Sequence, residues 1–142
     1  MALKIIDYGT HEYRQMVKMR NEILRKPLGL KFSEEELEQE KNNMFIGAFE
    51  DDQMLGCCMI VENNPDKAQL RQMAVLNNLQ GKGIGRALII FAENLARDHG
   101  YKTMCMHARK NTVPFFEKMG YKITGDEFIK LTIPHFEMEK EL

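Results

Sequence analysis

The residues whose types and spacing most clearly suggest chemistry form one short glycine loop. The loop consists of Gln80, Gly81, Lys82, Gly83, Ile84, Gly85 and Arg86. Glycine permits unusual backbone conformations and removes Cβ atoms from the path of a ligand. A long amphipathic segment follows, so the loop's N–H groups would lie at a helix N-terminus, where unpaired donors and the helix dipole favour an anion. The loop is therefore predicted to bind a phosphate or pyrophosphate, with Lys82 and Arg86 adding positive charge.

Two common phosphate-binding patterns do not match this loop. The P-loop pattern GxxxxGK[ST] is absent, because no Ser or Thr follows a Gly-Lys pair. The dinucleotide pattern GxGxxG fails because Arg86 occupies the position of its third glycine. The next strand, which ends near His107, also offers no carboxylate for a ribose. A glycine-rich turn before a helix also occurs simply as a tight loop, and that structural interpretation stays open.

The segments around the loop predict the framework that positions it. Predicted strands cover residues 3–8, 44–49, 54–61, 69–76, 101–108, 121–124 and 136–139. Predicted helices cover residues 11–25, 33–42, the segment from the loop to residue 99, and 111–118. The unit 69–108 is thus a strand–loop–helix–strand crossover, which predicts one parallel strand pair. We expect one α+β domain over residues 1–142, a mixed sheet with helices on both faces.

Length, charge and hydropathy patterning limit the classes of function. The chain has 142 residues, and 20 Lys+Arg against 21 Asp+Glu leave a net charge of -1. Binding of nucleic acid usually shows as a basic excess. No apolar run approaches the roughly 20 residues that span a bilayer. Lys4 and Asp7 interrupt the region where a signal peptide would be apolar. We therefore expect a cytoplasmic protein without a nucleic-acid or membrane partner.

The cysteines are predicted to be structural. Cys57 and Cys58 are adjacent and Cys105 stands alone, with neither a CxxC pair nor metal-ligand spacing. A nucleophilic cysteine would need a paired base, and no neighbouring residue supplies one. We expect three small buried hydrophobic side chains and no metal site.

Together with its neighbours, the loop resembles the signature of the GCN5-related N-acetyltransferase (GNAT) superfamily. That signature, Q/R-x-x-G-x-G/A after a strand, is matched by residues 80–85, and residues 86–88 continue as in many members. The strand 70–75 also fits, and FFEKMGY at 115–121 is similar to the family's FYEKxGF segment. The tail over 125–138, which contains GDEF and IPH, is similar to the ElaA-type branch.

The resemblance implies a GNAT fold, a mostly antiparallel sheet in which one parallel pair splays apart and acetyl-CoA lies in the opening. It implies that the backbone of the whole glycine loop, residues 80–86, holds the pyrophosphate. Met73, Ala74 and Val75 would pair their main chain with the pantetheine arm, and an N–H near Val75 would polarise the thioester carbonyl. The implied acceptor is a primary amine of a small molecule or peptide that attacks directly. Homodimers are common in such folds, although no residue pattern here predicts one.

The usual acid and base of the family are missing from this sequence. Phe116 stands where the family often carries a tyrosine acid, and residues 69–76 include no carboxylate. His107 is predicted to replace them, because it ends the strand at the splay and an ordinary pKa of ~6.5 suits proton transfer. A packed or cofactor-adjacent His107 is the alternative interpretation. His135, which follows Pro134, is a second candidate that would line the acceptor pocket.

Three further interpretations stay open at this point. Arg20 and Glu22 on the first helix face either the acceptor site or solvent. The missing acid and base also fit a catalytically silent acyl-CoA-binding module. A nucleotide-binding domain is the third, and it would be stabilised by ATP or NAD rather than by coenzyme A.

Overall fold

Eight strands and four α-helices make up the chain, and the computed structural model describes all residues 1–142. The strands are β1 (Ala2–Ile6), β2 (Met44–Glu50), β3 (Gln53–Asn64), β4 (Lys67–Val75), β5 (Thr103–Arg109), β6 (Lys122–Ile123), β7 (Phe128–Lys130) and β8 (Ile133–Glu141). The helices are α1 (His11–Arg20), α2 (Glu34–Gln39), α3 (Ile84–Asp98) and α4 (Val113–Lys118). A π-helical turn (Asn21–Arg25) and three 3₁₀ turns (Lys26–Leu28, Asn77–Leu79, Lys110–Thr112) complete the chain's helical segments.

All eight strands form one sheet. Its order is β1-β2-β3-β4-β5-β8-β6, and β7 pairs with β8 beyond that path. Every pairing is antiparallel except that of β4 with β5. The predicted α+β class, with a mostly antiparallel sheet and one parallel pair, is therefore confirmed. β7 was not predicted, because three residues between turns carry too little periodicity to reveal a strand.

Helices cover both faces of the sheet, as predicted. Side chains alternate between faces along a strand, and β3 shows this directly: Cys58 and Ile60 join the core beneath α3 and α4, whereas Cys57 and Met59 join the core beneath α1. The first core contains 19 buried residues and the second contains 10. The core on the α3 side is thus the larger of the two.

β4 and β5 separate halfway along their length. They pair only from Lys67 opposite Thr103 to Leu70 opposite Met106. Just past that point β4 contains a bulge at Gln72, whose φ of +53° is rare for a residue with a side chain. β4 stays paired with β3 through Val75, so its other edge has no strand partner beyond Leu70. This is the predicted splay.

The first helix differs from its prediction. α1 ends at Arg20, and the chain continues as the π-helical turn to Arg25 and a 3₁₀ turn to Leu28. Gly29, with a left-handed φ of +72°, then ends the helical segment. α2 begins as predicted, with a reciprocal capping box between Ser33 and Glu36.

Each face of the sheet contains one buried carboxylate network. On the α1 face, Arg20 is fully buried and donates to both oxygens of Glu40 at 2.8 and 2.6 Å, while the hydroxyl of Tyr13 donates to Glu40 at 3.4 Å. Arg20 therefore faces neither the acceptor site nor solvent, which corrects both sequence-based alternatives. On the α3 face, Glu93 accepts from Tyr121 at 2.8 Å and from Lys140 at 3.0 Å. Both networks tie separate elements together.

Candidate active site

The glycine loop has the conformation that its sequence suggests. Gly81 and Gly83 have φ values of +82° and +85°, in the region that favours glycine. A Cβ at either position would meet nothing within 4 Å. Backbone conformation therefore requires these two glycines, and the space beside them is open. Gly83 directly precedes Ile84, the first residue of α3.

The loop presents a row of unpaired donors at the start of α3. None of the backbone N–H groups of residues 81 to 86 donates a hydrogen bond within the chain. The side chain of Gln80 braces the loop by donating to the carbonyl of Val75 at 3.3 Å and to Asn77 at 3.2 Å. Lys82 and Arg86 are exposed and form no ion pair. This arrangement can hold a multiply charged anion such as a pyrophosphate.

The edge of β4 that faces the splay leads directly into this loop. The side chains of Met73 and Val75 pack against the core beneath α3, whereas Ala74 is buried on the α1 side. A Cβ on Gly85 would lie 3.6 Å from the Met73 side chain and 3.8 Å from that of Phe115. The three predicted β4 residues therefore offer backbone, rather than side-chain, groups to a ligand in the opening.

No tyrosine near the splay can act as a ready proton donor. Phe116 is buried, with its ring against that of Tyr121 at a centroid distance of 6.0 Å. The hydroxyl of Tyr121 is itself buried and bound to Glu93. Burial, followed by that hydrogen bond, raises the pKa of Tyr121 far above its ordinary value of 10.0. The absence of the usual acid, noted from the sequence, thus extends to the neighbouring tyrosine.

His107 lies where β5 leaves β4, one residue beyond the last paired position. Its side chain is 31% exposed. Nδ1 lies 3.3 Å from Nζ of Lys130, and Nε2 lies 3.8 Å from the carboxylate of Glu137. Burial lowers the pKa of His107 below 6.5, and the Lys130 ammonium lowers it further, against the opposing effect of Glu137. The imidazole is therefore neutral near pH 7, the form that can accept a proton.

His135 and His107 are brought together around one aromatic ring. The ring of Phe128 lies edge-on to His107 at 5.1 Å and stacks on His135 at 5.7 Å. His135 is buried, and its Nδ1 lies 2.7 Å from the carbonyl of Ile133. Burial lowers the pKa of His135, although the hydrogen bond to Ile133 opposes that effect. His135 thus packs beside Phe128 with one ring nitrogen already engaged.

Three residues on the β4 and β7 strands around His107 were not predicted to belong to the site. Phe128 and Lys130 belong to β7, and Arg71 lies on β4 just beyond its last pairing with β5. The available signal for Arg71 was that it is the one charged residue of the predicted strand over residues 69–76. No local signal marks Lys130, because its place beside His107 depends on β7 pairing with β8 and β8 pairing with β5.

The cysteines are structural, as predicted. Cys57, Cys58 and Cys105 are buried and form no disulfide. Burial raises the pKa of Cys57 to about 12 and that of Cys105 to about 11. Their thiols are therefore protonated and unreactive at neutral pH.

Two surface grooves lie apart from the splay. One is lined by Lys4, His11, Glu12, Gln15, Phe49 and Asp52. The other is lined by Arg14, Val17, Lys18, Asn21, Glu22, Lys26, Leu30 and Lys31. Neither groove contains a residue of the glycine loop, and neither contains His107, His135 or Lys130.

None of the helices is both long and apolar enough to pass through a bilayer.

The fold and the loop together define an acyltransferase class of protein. The family described as acetyltransferase (GNAT) domain matches residues 13–142. The chain therefore belongs to the GNAT acetyltransferase family, which confirms the resemblance drawn from the glycine loop.

Several known proteins are similar to this chain. An uncharacterized N-acetyltransferase of Chlorobaculum tepidum is 31% identical over 70% of this chain and 62% of its own length. An uncharacterized protein, YyaT, of Bacillus subtilis is 28% identical over 53% of this chain. The matched segments span about half of the Bacillus protein (51%) and somewhat more of the Chlorobaculum protein.

Solved structures confirm the fold at low sequence identity. Escherichia coli ElaA superposes with a TM-score of 0.86 at 14% identity, covering 99% of this chain and 100% of ElaA. An aminoglycoside 6′-N-acetyltransferase complexed with coenzyme A superposes with a TM-score of 0.83 at 18% identity, covering 99% and 97% of the two chains. The likeness to the ElaA-type branch is thus one of fold.

Proposed function

We propose that this chain is an N-acetyltransferase that moves the acetyl group of acetyl-CoA to a primary amine, acting as one GNAT domain over residues 1–142. The observation that carries the proposal is the splay of β4 from β5, with the unpaired N–H groups of residues 81 to 86 at its mouth. These groups fit a pyrophosphate, and Lys82 and Arg86 fit its charge. The free edge of β4 fits the amide groups of a pantetheine arm.

Each part of the opening then has a distinct role. The loop Gln80–Arg86 binds the pyrophosphate, and Met73–Val75 align the arm by backbone hydrogen bonds. An N–H near Val75 polarises the thioester carbonyl. The neutral acceptor amine attacks the carbonyl carbon, the carbon–sulfur bond breaks, and the acetyl group remains on nitrogen. The nitrogen then loses its surplus proton, which is taken up by the departing thiolate to give coenzyme A as the free thiol. Holding both reactants in the opening supplies much of the rate enhancement.

Proton transfer falls to His107. An alkylammonium with a pKa near ~10 must lose a proton before its nitrogen can attack. The lowered pKa of His107 keeps the imidazole neutral near pH 7 and therefore able to accept that proton. His135 lines the same pocket and fixes Phe128 beside His107. The thiolate leaves without an acid from residue 116, because that residue is a phenylalanine.

Similar folds that hold coenzyme A support this assignment. The aminoglycoside 6′-N-acetyltransferase structure contains it, and so does PaiA N-acetyltransferase from Thermoplasma acidophilum, with a TM-score of 0.74. A catalytically silent acyl-CoA-binding module is the second candidate. It is favoured by the buried Phe116, which leaves the usual acid position without a proton.

Thiol release from acetyl-CoA in the presence of a panel of primary amines tests the proposal, with the acetylated product identified by mass. We expect turnover by the wild type, a loss of about 100-fold in kcat/KM for His107→Gln, and little change for His99→Gln, an exposed histidine at the end of α3. If the wild type and both variants bind coenzyme A equally and acetylate none of the amines, the silent module is favoured. Thermal stabilisation by ATP or NAD but not by coenzyme A would reject both.

A further inference from the structure

We infer that the acceptor amine carries a carboxylate, bound by Arg71 and Lys130 beside His107. This inference rests on the proposed acetyl transfer and names the substrate class of the same site. It follows from three features of the molecule: the position of these two cations, their lack of carboxylate partners, and the distance along β4 from Arg71 to Val75.

Arg71 and Lys130 lie on the side of the splay opposite α3. Leu70 and Met106 belong to the core beneath α3. Side chains alternate along a strand, so the next residues, Arg71 on β4 and His107 on β5, project from the other face. β7 then places Nζ of Lys130 3.3 Å from Nδ1 of His107. Lys130 therefore contacts the candidate base, and Arg71 lies on the same side of the sheet, one residue beyond the last β4–β5 pair.

Neither of these cations has a carboxylate partner. Arg71 and Lys130 form no ion pair, and neither does Arg109 at the end of β5. Basic residues nearby are paired: Lys67 binds Glu139 at 3.0 Å, and Arg25 binds Glu36 at 3.2 Å. Arg71 and Lys130 are therefore free of any protein carboxylate beside His107, although other basic residues of the chain, such as Lys82 and Arg86, are unpaired too.

The cluster carries excess positive charge in a partly enclosed space. Lys130 is half-buried, and its pKa is lowered by burial and then by the charges of Arg71 and Arg25. Glu137 is the one carboxylate close to His107, at 3.8 Å from Nε2. His135 is held neutral by burial. Like charges brought together out of water are costly, so a bound anion would relieve the repulsion between them.

The spacing fits an anion and an amine within one small molecule. From Arg71 to Val75, where the thioester carbonyl is assigned, four steps of about 3.3 Å give at most about 13 Å of strand. A carboxylate on the two cations would hold its own amine towards that carbonyl.

Carboxylate binding would also change the state of His107. While charged Lys130 donates to Nδ1, the neutral ring carries its proton on Nε2 and cannot accept another proton at Nδ1. A carboxylate offers Lys130 a stronger, charge-assisted partner. Nδ1 of His107 would then be free to take the proton of the acceptor ammonium. An acceptor with a carboxylate would therefore be both bound and activated.

The test compares amino acids having one to six carbons between amine and carboxylate with the matching primary amides. Thiol release gives kcat/KM for each pair in the wild type, Arg71→Gln, Lys130→Gln and Lys102→Gln. Lys102 is an exposed lysine beside the opposite end of β5, and its variant serves as the charge control. Calorimetry of the same compounds with the coenzyme A complex gives their affinity independently of turnover.

We expect at least one acid to exceed its amide by about tenfold or more in kcat/KM, the size of a charge-assisted hydrogen bond. Arg71→Gln and Lys130→Gln should reduce that ratio towards one without raising the KM for acetyl-CoA, whereas Lys102→Gln should preserve it. Equal rates for acids and amides would overturn this inference and leave acetyl transfer intact. Absence of turnover, with acids still binding through Arg71, would overturn the proposed function and support the anion site. If Arg71→Gln and Lys130→Gln both raise the KM for acetyl-CoA and change nothing else, the two cations bind the cofactor, and the inference is rejected.

Discussion

The two sides of the splay are built in different ways. The side proposed for the cofactor is one contiguous loop, residues 80–86, and the unpaired backbone N–H groups of residues 81–86 lie at the start of α3. The side proposed for the acceptor draws single side chains from four strands: Arg71 from β4, His107 from β5, Lys130 from β7 and Glu137 from β8. Backbone recognition suits a pyrophosphate that never varies, whereas side chains can be exchanged one at a time to suit a different acceptor.

The largest expected effect is on stability, and it differs between the buried carboxylates on the two faces of the sheet. Glu40→Ala would leave Arg20 buried without its carboxylate, which costs about 3–5 kcal/mol in the free energy of unfolding. Glu93→Ala should cost less, about 1–3 kcal/mol, because the side chain of Lys140 is 24% exposed and can reach water. Urea unfolding measures both values.

Glu139→Ala is the control for this pair of variants. Its ion pair with Lys67 is partly exposed, and the loss should stay within about 1 kcal/mol. A Glu93→Ala loss equal to or greater than that of Glu40→Ala would show that the α1 face is not the more sensitive one.

The next effect concerns the acceptor side and its dependence on pH. His107 must be neutral to accept a proton, and its pKa lies below 6.5. The kcat/KM of the wild type should therefore rise with pH to an apparent pKa below 6.5 and stay level above it, until another group titrates. His107→Gln should lower kcat/KM by about 100-fold and remove that acidic limb. An unchanged limb in the variant would assign it to another group.

A smaller effect concerns the cofactor side and its backbone. Gly83→Ala would place a Cβ on a residue with φ of +85°, which costs about 1–2 kcal/mol and moves the N–H groups of the loop. Gly85→Ala meets Met73 only at an ordinary 3.6 Å contact and should be neutral or slightly stabilising. Thermal unfolding and acetyl-CoA binding by calorimetry compare the two. Equal losses of affinity would mean that backbone conformation is not what the loop requires.

The smallest expected effect comes from the exposed cations of the loop. Lys82→Gln and Arg86→Gln should each raise the KM for acetyl-CoA by a few fold, and the change should shrink as salt is added, because these charges are exposed to solvent. The KM for the acceptor should not change. A shift in acceptor preference would contradict the separation of the two sides.

The same contrast explains what could be predicted from sequence. The glycine loop is local, and its glycines, cations and following helix are adjacent in the chain, so the loop and the crossover around it were recognisable. The position of His107 followed from the strand after that helix. Lys130 reaches His107 only through the pairing of β7 with β8 and of β8 with β5. The buried position of Arg20 could not be predicted from the sequence, because its partner Glu40 lies 20 residues further along the chain. Contacts of this kind depend on tertiary pairing, which local periodicity does not encode.

Amide hydrogen exchange of residues 81–86 with and without acetyl-CoA tests the central claim most directly. These N–H groups have no partner in the chain, so they should exchange fast in the free protein. If the loop holds the pyrophosphate, acetyl-CoA should slow their exchange selectively, while ATP at equal concentration should have much less effect. Unchanged exchange at residues 81–86 under saturating acetyl-CoA would contradict the assignment of the loop and, with it, the proposed site.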